Sequence, residues 1–142
     1  LGADHGGVKL KEAVRKYLDA EKIAYRDFGT FDEQSIDYAR IAAKVAHFVA
    51  DGKADKGILI CGTGIGMSIA ANKMKGIRAA LCHDEFSARF SRAHNNANVL
   101  ALGARVVGPG LAASILDVFL SAQFEGGRHE RRLRKIAAIE EA

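Results

Sequence analysis

Cys61 is the residue of this sequence best placed to act as a base or a nucleophile. It ends an apolar run, Gly57-Ile58-Leu59-Ile60-Cys61, and precedes the glycine-rich stretch Gly62-Thr63-Gly64-Ile65-Gly66. A thiol at the start of a helix faces the positive end of the helix dipole, which favours the thiolate, the form that takes protons or attacks carbon. A cysteine in an apolar strand is also commonly a plain core residue. Position alone leaves both interpretations open for Cys61, whereas Cys82 is predicted to belong to the core.

The glycine-rich stretch offers backbone N–H groups to a phosphate or to an oxyanion that develops during a reaction. It resembles a dinucleotide-binding loop, because Asp84 follows about 20 residues later, where such loops have their ribose-binding carboxylate. However, the spacing is G-x-G-x-G instead of G-x-G-x-x-G, and the stretch lies in the middle of the chain. An oxyanion-binding role beside Cys61 is therefore favoured, and a nucleotide-binding regulatory module is the alternative.

Two further pairs of polar residues are candidates for ligand contacts. Asp4 and His5 follow the first apolar residues and precede Gly6-Gly7, a position typical of ligand contacts rather than of core packing. His94 and Asn95 close a predicted helix, so they either cap that helix or supply a general acid with a neighbouring amide. The other histidines show no metal-ligand spacing with cysteines or carboxylates, and we predict no metal site.

The net charge of +4 is concentrated near the C-terminus. Residues 128–135 hold five basic side chains and one acidic one, which leaves 16 basic and 16 acidic residues in the rest of the chain. Arg128 and Arg132 lie four residues apart on one helix face, which suits a bidentate grip on phosphate oxygens or, as the alternative, a solvated basic face. A surplus of positive charge confined to these eight residues argues against a protein that binds along a nucleic acid duplex.

Short apolar runs alternate with segments of helical periodicity along the whole chain. Strands are predicted at 1–3, 25–28, 57–61, 77–82 and 99–102, and helices at 10–18, 37–50, 67–74, 84–94, 111–124 and from residue 128. The alternation predicts a single α/β domain over residues 1–142, a three-layer α/β/α sandwich around a five-stranded parallel sheet. Residues 1–3 have the character of the end of a buried strand, so further residues are expected before them. Ligands bind beyond the carboxyl ends of the strands in such sheets, and the residues at those ends are Asp4 to Gly7, Cys61 to Gly66, His83-Asp84 and Gly103 to Arg105.

The composition is that of a globular protein from a reducing compartment. The 142 residues are 49% hydrophobic, and no run approaches the roughly 20 apolar residues of a membrane span. Two cysteines are too few for a disulfide framework, so a cytoplasmic location is expected.

These motifs, in this order, resemble the type B ribose-5-phosphate isomerases and their relatives, the galactose-6-phosphate isomerase subunits. The resemblance extends over essentially the whole chain and is carried by short segments that are individually weak and jointly specific. The segments are Asp4-His5-Gly6, Ser35-Ile36-Asp37-Tyr38, residues 57–66, residues 68–73, His94-Asn95, residues 98–101, residues 103–108 and residues 125–129.

The resemblance implies a flavodoxin-like fold, a homodimer with active sites at the subunit interface, and no cofactor. It implies an aldose–ketose isomerase that interconverts ribose 5-phosphate and ribulose 5-phosphate in the pentose phosphate pathway through a cis-enediolate. A six-carbon sugar phosphate, allose 6-phosphate or galactose 6-phosphate, is the alternative substrate. A self-sufficient single chain favours the ribose enzyme, because the galactose enzymes pair unlike subunits. Whether dimers pair further into tetramers stays open.

The resemblance also assigns roles to individual residues. Cys61 is the base that moves the proton between C1 and C2; one branch of the family has a carboxylate base six positions later, where this chain has Met67. Ring opening is assigned to His94, with Asp4 assisting. The contacts to the enediolate are assigned to Gly62, Thr63, Gly64, Ile65 and Gly66, those to the phosphate to His5, Arg105, Arg128 and Arg132, and that to a sugar hydroxyl to Asn95.

Overall fold

Apolar runs in the sequence form a parallel sheet that lies between two layers of helices. The computed structural model describes residues 1–142 and contains four strands and six helices. The strands are β1 (Gly2–Ala3), β2 (Gly57–Cys61), β3 (Ala79–Leu81) and β4 (Val99–Gly103). The helices are α1 (Val8–Ala20), α2 (Tyr38–Ala50), α3 (Ile65–Ala71), α4 (Glu85–Ala93), α5 (Pro109–Ser121) and α6 (Arg128–Glu140), and a 3-10 turn spans His5–Gly7.

The four strands are all parallel and lie in the order β1-β2-β4-β3. The continuous apolar runs form β2 and β4, whose residues are all buried, as expected for strands covered on both faces. Ala3 pairs with Ile60, and Cys61 pairs with Gly103. The carboxyl ends of β1, β2 and β4 therefore lie side by side at the same end of the sheet, as predicted.

The prediction of a fifth strand at 25–28 is wrong. Residues 26–30 do run beside β1: Phe28 N–H donates to the Leu1 carbonyl at 2.9 Å, and Thr30 N–H donates to the Ala3 carbonyl at 2.7 Å. Regular parallel pairing is interrupted because Ala3 donates to the carbonyl of Gly29 instead of that of Phe28, and Gly29 has a φ of 97°. The segment is thus an irregular edge partner of β1, and the sheet has four strands.

The core consists of two apolar layers, one on each face of the sheet. On one face, Ile58 and Ile60 pack with buried side chains of α1 and α5, among them Val14 and Phe119. On the other face, Leu59 and Cys61 pack with α2 and α3. Side chains alternate between the two faces along a strand, so Cys61 projects toward α2 and α3.

The helices begin and end close to the predicted positions. Asp37 caps α2 by accepting the Ala39 N–H at 3.0 Å, and Asp84 caps α4 by accepting the Ser87 N–H at 2.6 Å. The helix predicted at 67–74 begins two residues earlier and ends at Ala71. None of the helices combines the length and the apolar character that crossing a lipid bilayer requires.

Candidate active site

The thiol of Cys61 is held by the loop that follows it. The Gly64 N–H donates a hydrogen bond to the Cys61 Sγ at 3.1 Å, and Cys61 is 5% exposed. Gly64 has a φ of 79°, and a Cβ added there would lie 2.5 Å from Leu81 Cδ1 and 2.9 Å from the backbone carbon of Leu102. Only glycine fits this position, because both the backbone conformation and the packing exclude a side chain.

Asp4 and His5 lie beside this loop, as predicted. The Asp4 N–H continues the β1–β2 pairing by donating to the Ile60 carbonyl at 3.1 Å, and its Oδ1 accepts the Gly6 N–H at 2.9 Å. His5 Nδ1 accepts the Ile36 N–H at 3.2 Å. A neutral His5 must therefore carry its proton on Nε2, where it can be donated to a ligand.

The rest of the glycine-rich loop is bordered by two long side chains. The Arg105 guanidinium lies against Gly62, since a Cβ added to Gly62 would be 3.6 Å from the Arg105 Cζ. The Tyr38 ring lies against Gly66, where an added Cβ would approach it to 2.7 Å. Thr63 is exposed, and its Oγ1 accepts the Ile65 N–H at 3.2 Å, which orders the loop from within.

The remaining predicted site residues lie at the other end of the sheet, where the strands begin. A helix that follows a parallel strand returns to the amino end of the sheet, so the C-terminal residues of α4 lie far from Cys61. Arg78, just before β3, donates to the Asn95 carbonyl at 3.1 Å, and Asn98 accepts the Gly57 N–H at 2.8 Å. Gly57 and Cys61 are the two ends of β2, about 13 Å apart at the usual rise of a strand. One chain therefore does not bring His94 or Asn95 to Cys61.

His94 belongs to a second cluster, which it forms with residues at the start of α6. The His94 and His129 rings are stacked, with centroids 4.0 Å apart and planes inclined by 10°. Glu125 Oε1 lies 3.7 Å from His94 Nε2 and 3.6 Å from His129 Nε2. Arg128 and Arg132, both exposed, share the helix of His129. The predicted site residues thus form two groups, one at each edge of the sheet.

Burial and neighbouring charges change the pKa of two side chains that bear on these groups. Burial raises the pKa of the Cys82 thiol to about 11, which fits its predicted place in the core. Burial, and then the neighbouring His94 and Arg128, lower the pKa of His129. His129 is therefore neutral at neutral pH.

A cavity elsewhere in the fold is less informative about function. It has a volume of about 610 Å³, lies near the amino end of β2 and is lined mainly by apolar side chains, among them Ile23, Phe28 and Phe48. It contains none of the predicted site residues. The polar groups that converge around Cys61 are therefore the stronger indication of where chemistry takes place.

A protein-family model described as Ribose/Galactose Isomerase matches residues 1–136. The chain belongs to the ribose/galactose isomerase family. It is 51% identical over 141 residues to ribose-5-phosphate isomerase B of Escherichia coli (strain K12), covering 99% of this chain and 95% of that protein. It is 46% identical over 142 residues to the D-erythrulose-4-phosphate isomerase of Pectobacterium atrosepticum, covering 99% and 93%. The structure of ribose-5-phosphate isomerase B from Clostridium thermocellum matches with a TM-score of 0.97 at 52% identity, covering 99% and 95%.

Three residues lie in the two groups of candidate site residues although the sequence analysis assigns them no role. Tyr38 borders the glycine-rich loop, and Glu125 and His129 complete the cluster around His94. Glu125 lies before the start of α6, so its position four residues ahead of His129 is no helical signal for their proximity. The contact of either residue with His94 has no signal in the sequence, because it depends on how α6 packs on α4.

Proposed function

We propose that this family member interconverts D-ribose 5-phosphate and D-ribulose 5-phosphate through a cis-enediolate. The hydrogen bond from the Gly64 N–H to the Cys61 Sγ is the observation that carries the proposal, because it holds the sulfur in a fixed position at the end of the sheet where ligands bind. Membership in the ribose/galactose isomerase family supports the same reaction.

Cys61 acts as the base. Its thiolate takes the C2 proton of the open-chain aldose, and the electron pair left behind forms the C1–C2 double bond of the enediolate. Return of the proton to C1 gives the ketose, while the hydroxyl proton on O2 passes to O1. Thr63 and the loop amides up to Gly66, other than those of Gly64 and Ile65 that already donate within the loop, stabilise the negative charge that develops on the oxygens. Met67 is fully buried in the apolar layer and takes no part.

The second group supplies ring opening and part of the phosphate site. His94 donates a proton to the ring oxygen of the cyclic sugar, with Asp4 assisting, and Asn95 binds a sugar hydroxyl. The phosphate, remote from C1 and C2, is bound by Arg128 and Arg132 together with the pair at the Cys61 edge, His5 and Arg105.

The two groups meet when two copies of the chain form a homodimer with an active site at each end of the interface. Several apolar side chains are exposed around the edge strand β3, and they suit such an interface. Ile65 and Ile69 on α3 are 49% and 58% exposed, Phe86 on α4 is 72% exposed, and Ile139 on α6 is 73% exposed. Helix α6 itself buries only His129 within the chain, so most of its surface is available to a partner.

The reaction belongs to the pentose phosphate pathway and takes place in the cytoplasm. Both cysteines are free, and Cys61 must stay reduced to act as a base. A reducing compartment meets that requirement.

A coupled assay for ribulose 5-phosphate formed from ribose 5-phosphate, run with EDTA and with the Cys61→Ala variant as control, tests the proposal. The expected result is turnover in EDTA that vanishes in the variant. Turnover of allose 6-phosphate or galactose 6-phosphate alone would keep the chemistry and change the substrate. Absence of turnover with every sugar phosphate would overturn the proposal.

A further inference from the structure

His129 contacts the ring of His94 over a whole face. The two imidazole planes are inclined by only 10° with centroids 4.0 Å apart, and the Phe90 ring contacts His94 with a centroid distance of 4.6 Å. His129 is 5% exposed, whereas the His94 side chain is 34% exposed. The buried ring therefore forms a fixed platform, and the more exposed ring resting on it is free to meet a ligand.

The charges around the stack favour a neutral His129. Its Nε2 is buried and has no hydrogen-bond partner, and the Glu125 carboxylate lies 3.6 Å away. The other titratable or charged groups near it are His94 on α4 and Arg128 and Arg132 on α6. Burial, the largest cause, together with these neighbours outweighs Glu125 and lowers the pKa of His129. A neutral platform stacks on His94 in either protonation state without repulsion between like charges.

The same three side chains have the donor types of a metal site, and their ligand atoms lie within 4.8 Å of one another. The stacking argues against that use. The lone pair of an imidazole nitrogen lies in the plane of its ring, so two parallel rings direct their lone pairs side by side. A metal ion needs lone pairs that converge. The arrangement suits the orientation of His94 better than chelation.

We propose that His129 is a positioning residue, which orients the His94 imidazole for opening of the sugar ring by stacking against it. The inference rests on the proposed role of His94. Because His129 directly follows Arg128 in α6, one helix both binds the phosphate and orients the acid that opens the ring. A sugar phosphate seated on the arginines is then aligned with His94.

Two variants that both fill the space of His129 separate stacking from packing. His129→Phe keeps a planar ring under His94, and His129→Leu keeps an apolar side chain without a plane. We expect His129→Leu to lower kcat/KM for ribose 5-phosphate about tenfold, a fraction of the effect of losing a general acid, and His129→Phe to stay within about threefold of the parent protein. The midpoint of thermal unfolding verifies that both variants are folded.

An open-chain substrate provides the second arm of the experiment. D-erythrose 4-phosphate has its O4 esterified and cannot form a furanose ring, so its isomerisation needs no ring opening. The relative named D-erythrulose-4-phosphate isomerase makes four-carbon sugars a reasonable substrate. We expect His129→Leu to change kcat/KM for this sugar by less than about twofold. In histidine-labelled protein, the His94 ring-proton resonances should shift in His129→Leu, where the ring current of the stack is lost, and shift less in His129→Phe.

The outcomes separate failure of this inference from failure of the proposed function. Three results would each overturn the positioning role while leaving the ribose 5-phosphate activity of the parent protein in place. The first is an equal loss of kcat/KM in His129→Leu and His129→Phe, and the second is an equal loss of kcat/KM on the cyclic and the open-chain sugar. The third is a set of His94 resonances that do not change. Full ribose 5-phosphate activity in His94→Ala would remove the role of His94 and this inference with it. A parent protein inactive on every sugar phosphate would overturn the proposed function first.

Discussion

The Gly64 N–H points at the Cys61 Sγ from 3.1 Å, in a loop position where no other residue fits. A hydrogen bond to sulfur fixes the orientation of the Cys61 side chain. Both partners belong to the same loop region of one chain. The loop therefore orients the proposed base before substrate arrives.

Replacement of Cys61 should remove the base and leave the fold intact. In Cys61→Ser, we expect kcat to fall by about 10³-fold or more, because a hydroxyl does not ionise near neutral pH. The variant should still bind the substrate, since the phosphate contacts are made by other residues. Steady-state kinetics and calorimetric titration with ribose 5-phosphate measure the two effects separately. Turnover within tenfold of the parent protein would exclude Cys61 as the base.

A methyl group at Gly64 should disrupt both the packing and the thiolate contact. Gly64→Ala forces an alanine to a φ of 79° and drives its Cβ to 2.5 Å from Leu81. The matched control is Gly52→Ala, which has a φ of 74° and no atom within 4 Å of the added Cβ. Backbone conformation alone costs the control roughly 1–2 kcal/mol, and the clash should add about 1–3 kcal/mol at position 64. Urea unfolding of both variants gives the difference, and equal losses of stability would refute the packing argument.

The sequence predicts the part of the fold that follows from continuous apolar runs. Strands β2 and β4 and the caps at Asp37 and Asp84 are recognisable because each depends on residues that are adjacent in the chain. The segment 25–28 has the composition of a strand, but its pairing with β1 is interrupted where Gly29 instead of Phe28 accepts the Ala3 N–H. Such an interruption depends on the partner strand and cannot be read from the segment itself. The number of strands was therefore wrong by one.

The candidate site was predictable to a similar extent. Asp4, His5 and the Cys61 loop meet because parallel strands end at a common edge, a rule that applies once the strands are recognised. The same topology sends the end of α4 back to the other edge, which separates His94 from Cys61. The contact of His94 with His129 depends on the docking of α6 against α4, and no spacing in the sequence encodes it.

Arg128 should contribute to phosphate binding and not to the chemical step. Arg128→Ala is expected to raise KM for ribose 5-phosphate at least about tenfold with little change in kcat, because the phosphate is remote from C1 and C2. The inhibition constant of inorganic phosphate should rise in parallel. Arg134→Ala is the control: it is on the same helix, on another face, and pairs with Glu130 at 3.8 Å. An unchanged KM in Arg128→Ala would favour the alternative interpretation, in which this arginine belongs to a solvated basic face.

The two cysteines should differ in reactivity. Burial raises the pKa of Cys82 to about 11, so at pH 8 it is almost entirely the unreactive thiol. We expect iodoacetamide to label Cys61 first and activity to fall in proportion, as measured by peptide mass spectrometry at timed intervals. Ribose 5-phosphate should protect Cys61. Loss of activity that follows labelling of Cys82 would contradict the assignment.

The raised pKa of Cys82 also has a consequence for stability. The folded protein favours the neutral thiol, because the pKa of Cys82 lies above its ordinary value of 9.0. This contribution to the free energy of unfolding is complete below pH 9 and declines as the pH rises from 9 to about 11. Cys82→Ala should show a smaller decline than the parent protein over that interval in urea unfolding. Parallel declines in the two proteins would mean that other groups control the alkaline limb.

Lys11 should prove to be a structural cation that anchors residues 27–31, the segment beside β1. Its side chain is fully buried, its Nζ lies 2.9 Å from Asp27 Oδ2 and donates to the Thr30 carbonyl, and the Phe31 ring centroid is 4.2 Å away. Lys11→Met removes the nearest cation from the Asp27 carboxylate and leaves it the Gly29 N–H and the more distant Arg15, which should lower the free energy of unfolding by about 3 kcal/mol. The double variant Lys11→Met/Asp27→Asn removes both charges and should recover part of that loss. The contrary result is a loss of unfolding free energy in the double variant that equals the sum of the losses in Lys11→Met and Asp27→Asn. In that case the two charges do not interact, and the buried lysine stabilises the segment through the Thr30 carbonyl and the Phe31 ring alone.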